Sequence, residues 1–404
     1  MIKTWIDTDF RPTWLVLGML FSALYLSACG GGSGGDVPSV PASPSPVNVT
    51  GPGQFKEAIL LRSLSSAEIA AAIALDGAMA YAASPRYAVK AYRLNYLTLD
   101  GLGQEVLASA LVVLPQKPAN TSSPVVSYQH ATITKDIEAP SNMMTLASPE
   151  VVMASLGYIV LSADYVGYGV SKGASHPYML SGPSSSAVID MLTAARYWRQ
   201  TQQVADNQQL FLAGYSEGGY VTMATLRALQ AGTSVHRHQI VNAIPSAGPF
   251  DVGLTLDEAL KLVRQQYPVI GEFLRPGFLK YLSDADRNNV RDALLKAVLG
   301  ADSDVVFMPT VLDHYLADDR MAIETRSDVD DWLPGWPLFL FHGPEDTTVS
   351  YLNSSRALQT MQTKGSGDLV SLTDCKAQPA GHLECARPFW QFMLATFSKA
   401  AKDL

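Results

Sequence analysis

The sequence predicts an α/β fold, in which a mostly parallel β-sheet is flanked by helices and carries an inserted helical cap. Short apolar segments alternate with segments of helical periodicity along most of the chain. Because helices cover both faces of a parallel sheet, its strands read as nearly continuous apolar runs of this kind. The N-terminal 55 residues have a different composition, and about 350 of the 404 residues remain for one large domain with an insertion.

The first predicted elements lie before residue 115. A helix is expected over residues 65–82, where Ser65 and Glu68 have the spacing of a capping box. Residues 87–99 and 105–114 alternate between apolar and polar side chains, and a glycine-containing turn joins them. This pattern predicts a pair of antiparallel strands.

The middle of the chain predicts βα units. A crossover helix is expected over residues 184–199, whose apolar side chains recur on one side. Short apolar runs before and after it read as buried strands. The predicted strands are residues 124–130, 158–164, 209–215, 240–247 and 337–342.

A strand, a Gly-x-Ser-x-Gly turn and a helix follow one another at residues 209–229. In such a turn Gly214 and Gly218 leave room where side chains would collide, and Ser216 is forced into a strained conformation above the sheet. The N–H groups at the start of the following helix favour negative charge at that point. A bare Gly-x-Ser-x-Gly is common in turns, but this context predicts that Ser216 is a nucleophile.

The segment 248–335 is too long to be a crossover between two strands. Within it, residues 286–299 have helical periodicity, with Val290 and Leu294 on the apolar side and Ser283 as a start signal. We interpret the segment as a helical cap over the active site; the alternative is a peripheral elaboration that touches no substrate. Its apolar residues exceed what a solvated loop needs: Phe273, Phe278, Tyr281, Leu282, Phe307 and Met308.

A serine nucleophile needs a base that takes its proton and an acid that orients the base. Asp346 follows the strand at 337–342 and is predicted as the acid in preference to Glu345; the alternative is a surface Asp that caps the helix near Leu352. His382 is the only histidine after Asp346, which makes it the predicted base. His342 is expected to be a packed, hydrogen-bonded residue.

The oxyanion of a tetrahedral intermediate needs hydrogen-bond donors. The backbone N–H of Glu217, next after the predicted nucleophile, is expected to be one of them. The loop after the strand at 124–130 is expected to supply the second, from Thr132 or from Ala131. His130 is read as a structural residue at the end of that strand.

Strand, elbow, acid and histidine in this order resemble the α/β-hydrolase superfamily, from about Tyr87 to the C-terminus. The motifs at 128–130, 163–169 and 176–178 resemble those of bacterial exported lipoproteins of the secretory-lipase-like or prolyl-oligopeptidase-like groups. The resemblance implies a serine esterase that works without a cofactor. The usual His-Gly of the oxyanion loop is His130-Ala131 here, so this loop is expected to turn differently.

Ester hydrolysis through an acyl-enzyme is the reaction that these residues predict. A peptidase is the first alternative, because prolyl-oligopeptidase relatives share the core. Those relatives carry a β-propeller of at least four blades of about 40–50 residues. The 69 residues from Lys56 to Pro124 cannot hold one. A non-catalytic binding lipoprotein of this fold is the second alternative, and the complete set of Ser, Asp and His argues against it.

The N-terminus predicts export. Residues 1–28 contain Lys3, Arg11 and an apolar run over 14–26, which is the pattern of a signal peptide. The tetrapeptide that ends at Cys29 resembles a bacterial lipobox, which implies a lipid on Cys29 and a place in the bacterial cell envelope: in the outer membrane, facing the periplasm, or at the cell surface. Residues 29–55 are rich in Gly, Ser and Pro and read as a tether. The alternative is an uncleaved membrane anchor.

Two cysteines remain after Cys29. Cys375 and Cys385 flank His382, and an oxidising compartment would join them in a disulfide. The alternative is two free thiols, if the location is reducing or the geometry unsuitable.

Composition and motifs limit the partners. The formal net charge is −8, which argues against nucleic acid. The sequence has no metal-ligand cluster and no phosphate-binding loop. The expected partners are a small-molecule ester and, through the lipid, a membrane.

Overall fold

The computed structural model describes residues 46–75, 83–266, 274–299 and 303–404, and from Pro46 onwards they form one compact unit. The strands are β1 (Phe55–Leu64), β2 (Val89–Leu99), β3 (Glu105–Pro115), β4 (Ser123–Gln129), β5 (Ile159–Ala163), β6 (Asp206–Tyr215), β7 (Ile240–Ser246), β8 (Leu338–His342) and β9 (Val370–Asp374). The α-helices are α1 (Ser66–Leu75), α2 (Pro149–Ser155), α3 (Ser181–Thr201), α4 (Glu217–Ala231), α5 (Val252–Gln266), α6 (Asp284–Leu299), α7 (Thr310–Leu316), α8 (Arg320–Arg326), α9 (Leu352–Thr363) and α10 (Ala386–Ala400).

All nine strands form one sheet in the order β1-β2-β3-β5-β4-β6-β7-β8-β9. The first three strands pair antiparallel, and β3 pairs antiparallel with β5. The six strands from β5 to β9 in this order are parallel. The chain builds outwards from β4 to β5 and then returns to β6 on the other side of β4. The carboxyl ends of β4 and β6 therefore flank a topological switch point, where sheets of this kind bind their ligands.

The sheet is covered on both faces, as parallel strands require. One face packs against α3, α4 and α9, and its core includes Met191, Leu226 and Met361. The opposite face packs against α1, α2 and α10, with Ile69 and Phe397 in its core. The predicted fold class is confirmed: a mostly parallel sheet between layers of helices.

The predicted strands all exist, and their ends differ from the predicted ends by no more than three residues. The capping box is present, because Ser65 Oγ accepts from the N–H of Glu68 at 3.2 Å and Glu68 Oε2 accepts from the N–H of Ser65 at 2.8 Å. The helix that it begins is α1, and the predicted continuation to residue 82 lies outside the described residues. The sequence analysis did not predict β1 or β9.

The insertion between β7 and β8 carries α5, α6, α7 and α8, which confirms that it is helical, and its role as a cap over the active site stays a prediction. Val290 and Leu294 are buried, as predicted for the apolar side of α6. Ser283 also marks the start of α6 as predicted, because its Oγ accepts from the N–H of Asp286 at 3.2 Å. Phe273 and the side chains of residues 297–299 lie outside the described part of the chain.

The tether was predicted to extend too far. Its last ten residues, 46–55, belong to the compact unit. The N–H of Gly53 donates to the carbonyl of Leu97 at 2.7 Å, and the N–H of Leu97 donates to the carbonyl of Gln54 at 3.0 Å. Residues 1–28, Cys29 and the tether up to residue 45 lie outside the described residues. In the described segments, no helix has the length and hydropathy needed to cross a membrane.

Candidate active site

Ser216 lies in the turn between β6 and α4, at the carboxyl edge of the sheet. Its φ of 59° and ψ of −123° are in a region that non-glycine residues rarely adopt. Its N–H donates to the carbonyl of Ser246, at the end of β7, at 3.0 Å. The strained residue is therefore held by the neighbouring strand while its side chain stands at the N-terminus of α4.

The glycines of the turn are required by close approach of backbone. A side chain at Gly218 would collide with the carbonyl of Gln129, and one at Gly214 would collide with the carbonyl of Gly218. One position on, a side chain at Gly219 would collide with the carbonyl of Ser246. The turn is thus wedged between the ends of β4 and β7, which explains the small residues of the motif.

Ser216, His382 and Asp346 come together, although the sequence separates them widely. Ser216 Oγ lies 2.9 Å from His382 Nε2, and His382 Nδ1 lies 2.5 Å from Asp346 Oδ2. Because a carboxylate only accepts, Nδ1 carries the proton and Nε2 presents a lone pair to the serine hydroxyl. This tautomer is the one that can take a proton from Ser216.

Asp346 is held by four hydrogen bonds. Its Oδ1 accepts from the N–H groups of Thr348 and Val349, both at 2.9 Å. Its Oδ2 accepts from His342 Nε2 at 3.1 Å as well as from His382. Burial alone would raise the pKa of Asp346, but the hydrogen bonds from the two histidines outweigh it and hold this pKa well below its usual value. The carboxylate orients an imidazole and does not cap α9.

The neighbouring Glu345 has a different task. Its side chain is exposed, and Oε2 accepts from the N–H of Ala380 at 3.2 Å. His342 is fully buried and hydrogen-bonded, as predicted: its Nε2 also lies 2.9 Å from the carbonyl of Val349, and its Nδ1 accepts from Ser354 Oγ at 2.8 Å. The preference for Asp346 over Glu345 therefore agrees with the geometry.

The loop that carries His382 is fastened at several points. Tyr215 donates its hydroxyl proton to the carbonyl of His382 at 2.7 Å. A disulfide joins Cys375, which follows β9, to Cys385, which precedes α10. The N–H of Cys375 donates to the carbonyl of His342 at 2.8 Å. The loop of His382 is thus tied to the strand that leads to Asp346.

The loop predicted to supply the second oxyanion donor follows β4 and lies beside the elbow, since the carbonyls of Gln129 and His130 both face Gly218. Thr132 is further fixed by a hydrogen bond of 3.1 Å between its Oγ1 and the hydroxyl of Tyr178. Burial lowers the pKa of His130, which agrees with its structural reading. The donor roles of Glu217, Ala131 and Thr132 stay predictions.

The carboxylate of Asp164, in the motif at 163–169, is structural. It is fully buried, and it accepts from Ser109 Oγ at 2.5 Å and from Ser141 Oγ at 2.6 Å. Burial raises the pKa of Asp164, although these hydrogen bonds oppose that effect. A side chain at Gly169, whose φ is 59°, would collide with Ser109 and Asp164. The motif therefore organises the loops around the site.

The sequence analysis missed a buried pair beside Ser216. The side chain of Glu217 bonds to His176, with 2.8 Å between Oε1 and Nε2, and His176 Nδ1 lies 2.8 Å from the carbonyl of Val166. The two residues are 41 positions apart, and no spacing in the sequence connects them. The ring of His176 contacts four aromatic side chains, namely Tyr165, Tyr168, Tyr178 and Phe307.

A small, partly open apolar cavity of about 30 Å³ lies between the cap and the loop after β5. Phe307 and Met308 line it, whereas Phe278 and Tyr281 are exposed and Leu282 packs against the core. The remaining lining residues come from α5, α6, α7 and the loop after β5: Tyr178, Met179, Leu256, Leu294, Leu295, Val311 and Leu312. A space of this size holds one or two water molecules, so an acyl chain could enter only if the cap moved.

No group of three or more His, Cys, Asp or Glu residues is close enough to hold a metal ion in the described part of the chain. Comparison with known families gives one match: the model described as "Prolyl oligopeptidase family" matches residues 145–233, from just before α2 to just after α4. This segment includes the elbow. No curated protein matches the sequence.

Solved structures resemble nearly the whole compact unit. A protein from Legionella pneumophila is 20% identical, with a TM-score of 0.68 over 85% of this chain and 97% of that one. The rice cell wall degrading esterase LipA from Xanthomonas oryzae is 22% identical, with a TM-score of 0.63 over 87% of this chain and 100% of the esterase. Candida antarctica lipase A is 17% identical, with a TM-score of 0.52 over 82% of this chain and 78% of the lipase. The chain therefore has the α/β-hydrolase fold.

Proposed function

We propose that this protein is a serine hydrolase that cleaves carboxylic esters through an acyl-enzyme. The observation that carries the proposal is the hydrogen-bonded series from Ser216 to His382 to Asp346, with 2.9 Å and 2.5 Å between the bonded atoms. Both distances are within the reach that proton transfer requires. The series stands at the switch point of the sheet, at the N-terminus of a helix that favours negative charge.

The reaction follows from these contacts. His382 Nε2 takes the proton of Ser216 as Oγ attacks the ester carbonyl, and Asp346 stabilises the imidazolium that forms. The oxyanion accepts from the N–H of Glu217 and from the loop after β4, at Thr132 or Ala131. His382 returns the proton to the departing alcohol. Water then attacks the acyl-enzyme in the same way and releases the acid.

An ester substrate is favoured over a peptide. Two of the proteins with similar structures are described as an esterase and a lipase, and this chain is similar to them over more than 80% of its length. The 69 residues from Lys56 to Pro124 are too few for the β-propeller of at least four blades of about 40–50 residues that prolyl oligopeptidases carry. The match to the prolyl oligopeptidase family over residues 145–233 nevertheless makes a peptidase the second candidate.

The side chains that line the cap cavity favour an apolar acyl group. All the side chains that line this cavity are uncharged, and all but the hydroxyl of Tyr178 are apolar. Tyr178 connects the cavity to the proposed oxyanion loop through its hydrogen bond to Thr132. An acyl chain that extends from the carbonyl towards the cap would therefore meet apolar surface. The alcohol part of the substrate is left open by these contacts.

The test begins with Ser216→Ala. We expect this variant to lose labelling by a fluorophosphonate probe and to lose at least 10³-fold in kcat, with an unchanged circular dichroism spectrum. The parent protein should hydrolyse nitrophenyl esters in a panel of chain lengths and leave aminoacyl and prolyl anilides intact. Labelling that persists in Ser216→Ala would remove the assignment of the nucleophile. Anilide turnover above ester turnover would favour the peptidase.

We further propose that the protein is an exported lipoprotein of the cell envelope, held by a lipid on Cys29. The signal-like residues 1–28 support this, and the disulfide between Cys375 and Cys385 is of a kind that persists in oxidising compartments. Expression in a bacterial host with radiolabelled palmitate should label the parent and not Cys29→Ala. Equal labelling of both proteins would contradict the anchor.

A further inference from the structure

The residue after the nucleophile carries a second, unassigned acid. Glu217 is the first residue of α4, and its side chain is 3% exposed. Oε1 bonds to His176, which is 2% exposed, and Oε2 is buried without a hydrogen-bond partner among the described residues. The carboxylate therefore depends on one histidine.

The hydrogen bonds of His176 fix the protons of the pair. Its Nδ1 faces the carbonyl of Val166 at 2.8 Å, and a carbonyl only accepts, so Nδ1 carries a proton. Its Nε2 faces Glu217 Oε1 at 2.8 Å, and one proton must lie between them. The pair then consists either of an imidazolium and a carboxylate or of a neutral imidazole and a carboxylic acid. Its net charge is zero in both cases.

This neutrality matters because of where Glu217 stands. Under the proposed function, its own N–H donates to the oxyanion. Five bonds of about 1.5 Å or less separate that nitrogen from the carboxylate oxygens, which places them within about 6 Å of it. An unbalanced carboxylate there would repel the oxyanion and compete with it for the positive end of α4. At a protein dielectric constant of about 20, a charge about 6 Å from the oxyanion would change kcat by roughly 10²-fold.

We propose that His176 is a positioning residue for acyl transfer, which holds Glu217 against the elbow and balances its charge while the oxyanion forms. This inference rests on the proposed function.

The chain allows the side chain of His176 to be tested apart from its backbone. The N–H of His176 donates to the carbonyl of Val306 at 2.7 Å, and its carbonyl accepts from the N–H of Met308 at 2.8 Å, so its backbone holds the part of the cap around Phe307, between α6 and α7. His176→Phe keeps these backbone bonds and an aromatic ring among the four aromatic neighbours. It removes only the hydrogen bonds of the imidazole.

The first measurement is ester turnover at pH 8.5, well above the pKa of an ordinary carboxyl group. His176→Phe should lower kcat by about 10- to 100-fold and change KM by less than about threefold, because the ester is neutral and the oxyanion is not. Adding Glu217→Gln removes the unbalanced charge, and the double variant should recover at least tenfold in kcat over His176→Phe. The matched control is His236→Phe, which removes a buried, hydrogen-bonded histidine just beyond the far end of α4, about 20 Å of helix from the elbow, and should leave kcat within about twofold.

The rescue separates charge from packing. If His176 only packed, the double variant would be no better than His176→Phe, and that result would overturn the proposal. If the parent showed no turnover that depends on Ser216, the proposed function would fail instead.

A second measurement does not need turnover. The inactive Ser216→Ala protein should show a strongly deshielded proton resonance for the bond between His176 and Glu217. This resonance should vanish in Glu217→Gln and persist in Asp346→Asn, which removes the corresponding signal of His382. Its absence from Ser216→Ala, or its persistence in Glu217→Gln, would overturn the shared proton.

Discussion

Asp346→Asn tests the proposed mechanism most sharply, because the hydrogen bonds of Asp346 dictate how the amide must sit. Oδ1 accepts from two backbone N–H groups, of Thr348 and Val349. An amide nitrogen cannot take that place, so the amide oxygen occupies it. The amide nitrogen must then face the two histidines, His342 and His382, where Oδ2 accepts in the parent.

This orientation inverts the tautomer of His382. The amide N–H donates to Nδ1, so the imidazole proton moves to Nε2 and points at Ser216 Oγ. An imidazole in this state cannot take the serine proton. Where a Ser-His-Asp site is given the wrong tautomer, kcat falls by about 10⁴-fold, or about 5.4 kcal/mol in the activation barrier. We expect a loss of this size in kcat and little change in KM, because Asp346 contacts the base and not the substrate.

The assay is steady-state hydrolysis of a short nitrophenyl ester, with Glu345→Gln as the matched control. Among the described residues, the carboxylate of Glu345 accepts only from the N–H of Ala380, and a glutamine oxygen can do the same. Its variant should stay within about threefold of the parent. A loss below tenfold for Asp346→Asn would refute the orientation argument. A larger loss for Glu345→Gln than for Asp346→Asn would move the acid by one residue.

Three further predictions concern the cap, the disulfide and pH. Phe307→Ala enlarges the apolar cavity, so the ratio of kcat/KM for long over short esters should rise at least threefold, whereas the exposed Tyr281→Ala should not change it. Replacing Cys375 and Cys385 by Ser removes the disulfide that holds the loop of His382. We therefore expect kcat to fall about 3- to 30-fold and limited proteolysis to cut this loop faster, while the sheet stays folded. Equal cleavage of both proteins would contradict this. Burial and the nearby carboxylate of Asp251 raise the pKa of Asp328 to about 7, so the parent loses stability as pH rises from about 4 to 7. Asp328→Asn should therefore raise the free energy of unfolding at pH 8 by about 1 kcal/mol, which a higher melting temperature would reveal. This gain should disappear near pH 4.

The central strands could be predicted because they are buried on both faces and read as apolar runs. The two strands that were missed are at the sheet edges, where that reason does not apply. β1 is largely exposed on both faces, and Lys56, Glu57 and Arg62 interrupt its apolar residues. β9 has only five residues, and just Val370 is buried. Its place depends on pairing with β8, which no local pattern reveals.

The candidate site divides in the same way. Ser216 and Asp346 could be predicted because each stands in a motif, and His382 because it is the only histidine after Asp346 in the diagnostic chain order. The role of the Glu217 side chain could not, since it occupies the variable position of Gly-x-Ser-x-Gly. Its partner His176 reaches it only through the folding of the loop after β5. Pairing across 41 residues is a property of the tertiary structure, and one sequence holds no signal for it.

The position of β1 determines where a mechanical load would enter this domain. Any chain that precedes residue 46 leads into β1, which is an edge strand of the sheet. In the sheet order, β6 is the fifth strand after β1. At about 4.8 Å per spacing, roughly 24 Å of sheet separates the point of attachment from the strand that carries Ser216. Tension on the N-terminus would therefore peel β1 from β2 first. Ser216, Asp346 and His382, all on the far side of β4, would be shielded from that force until four other strands had yielded.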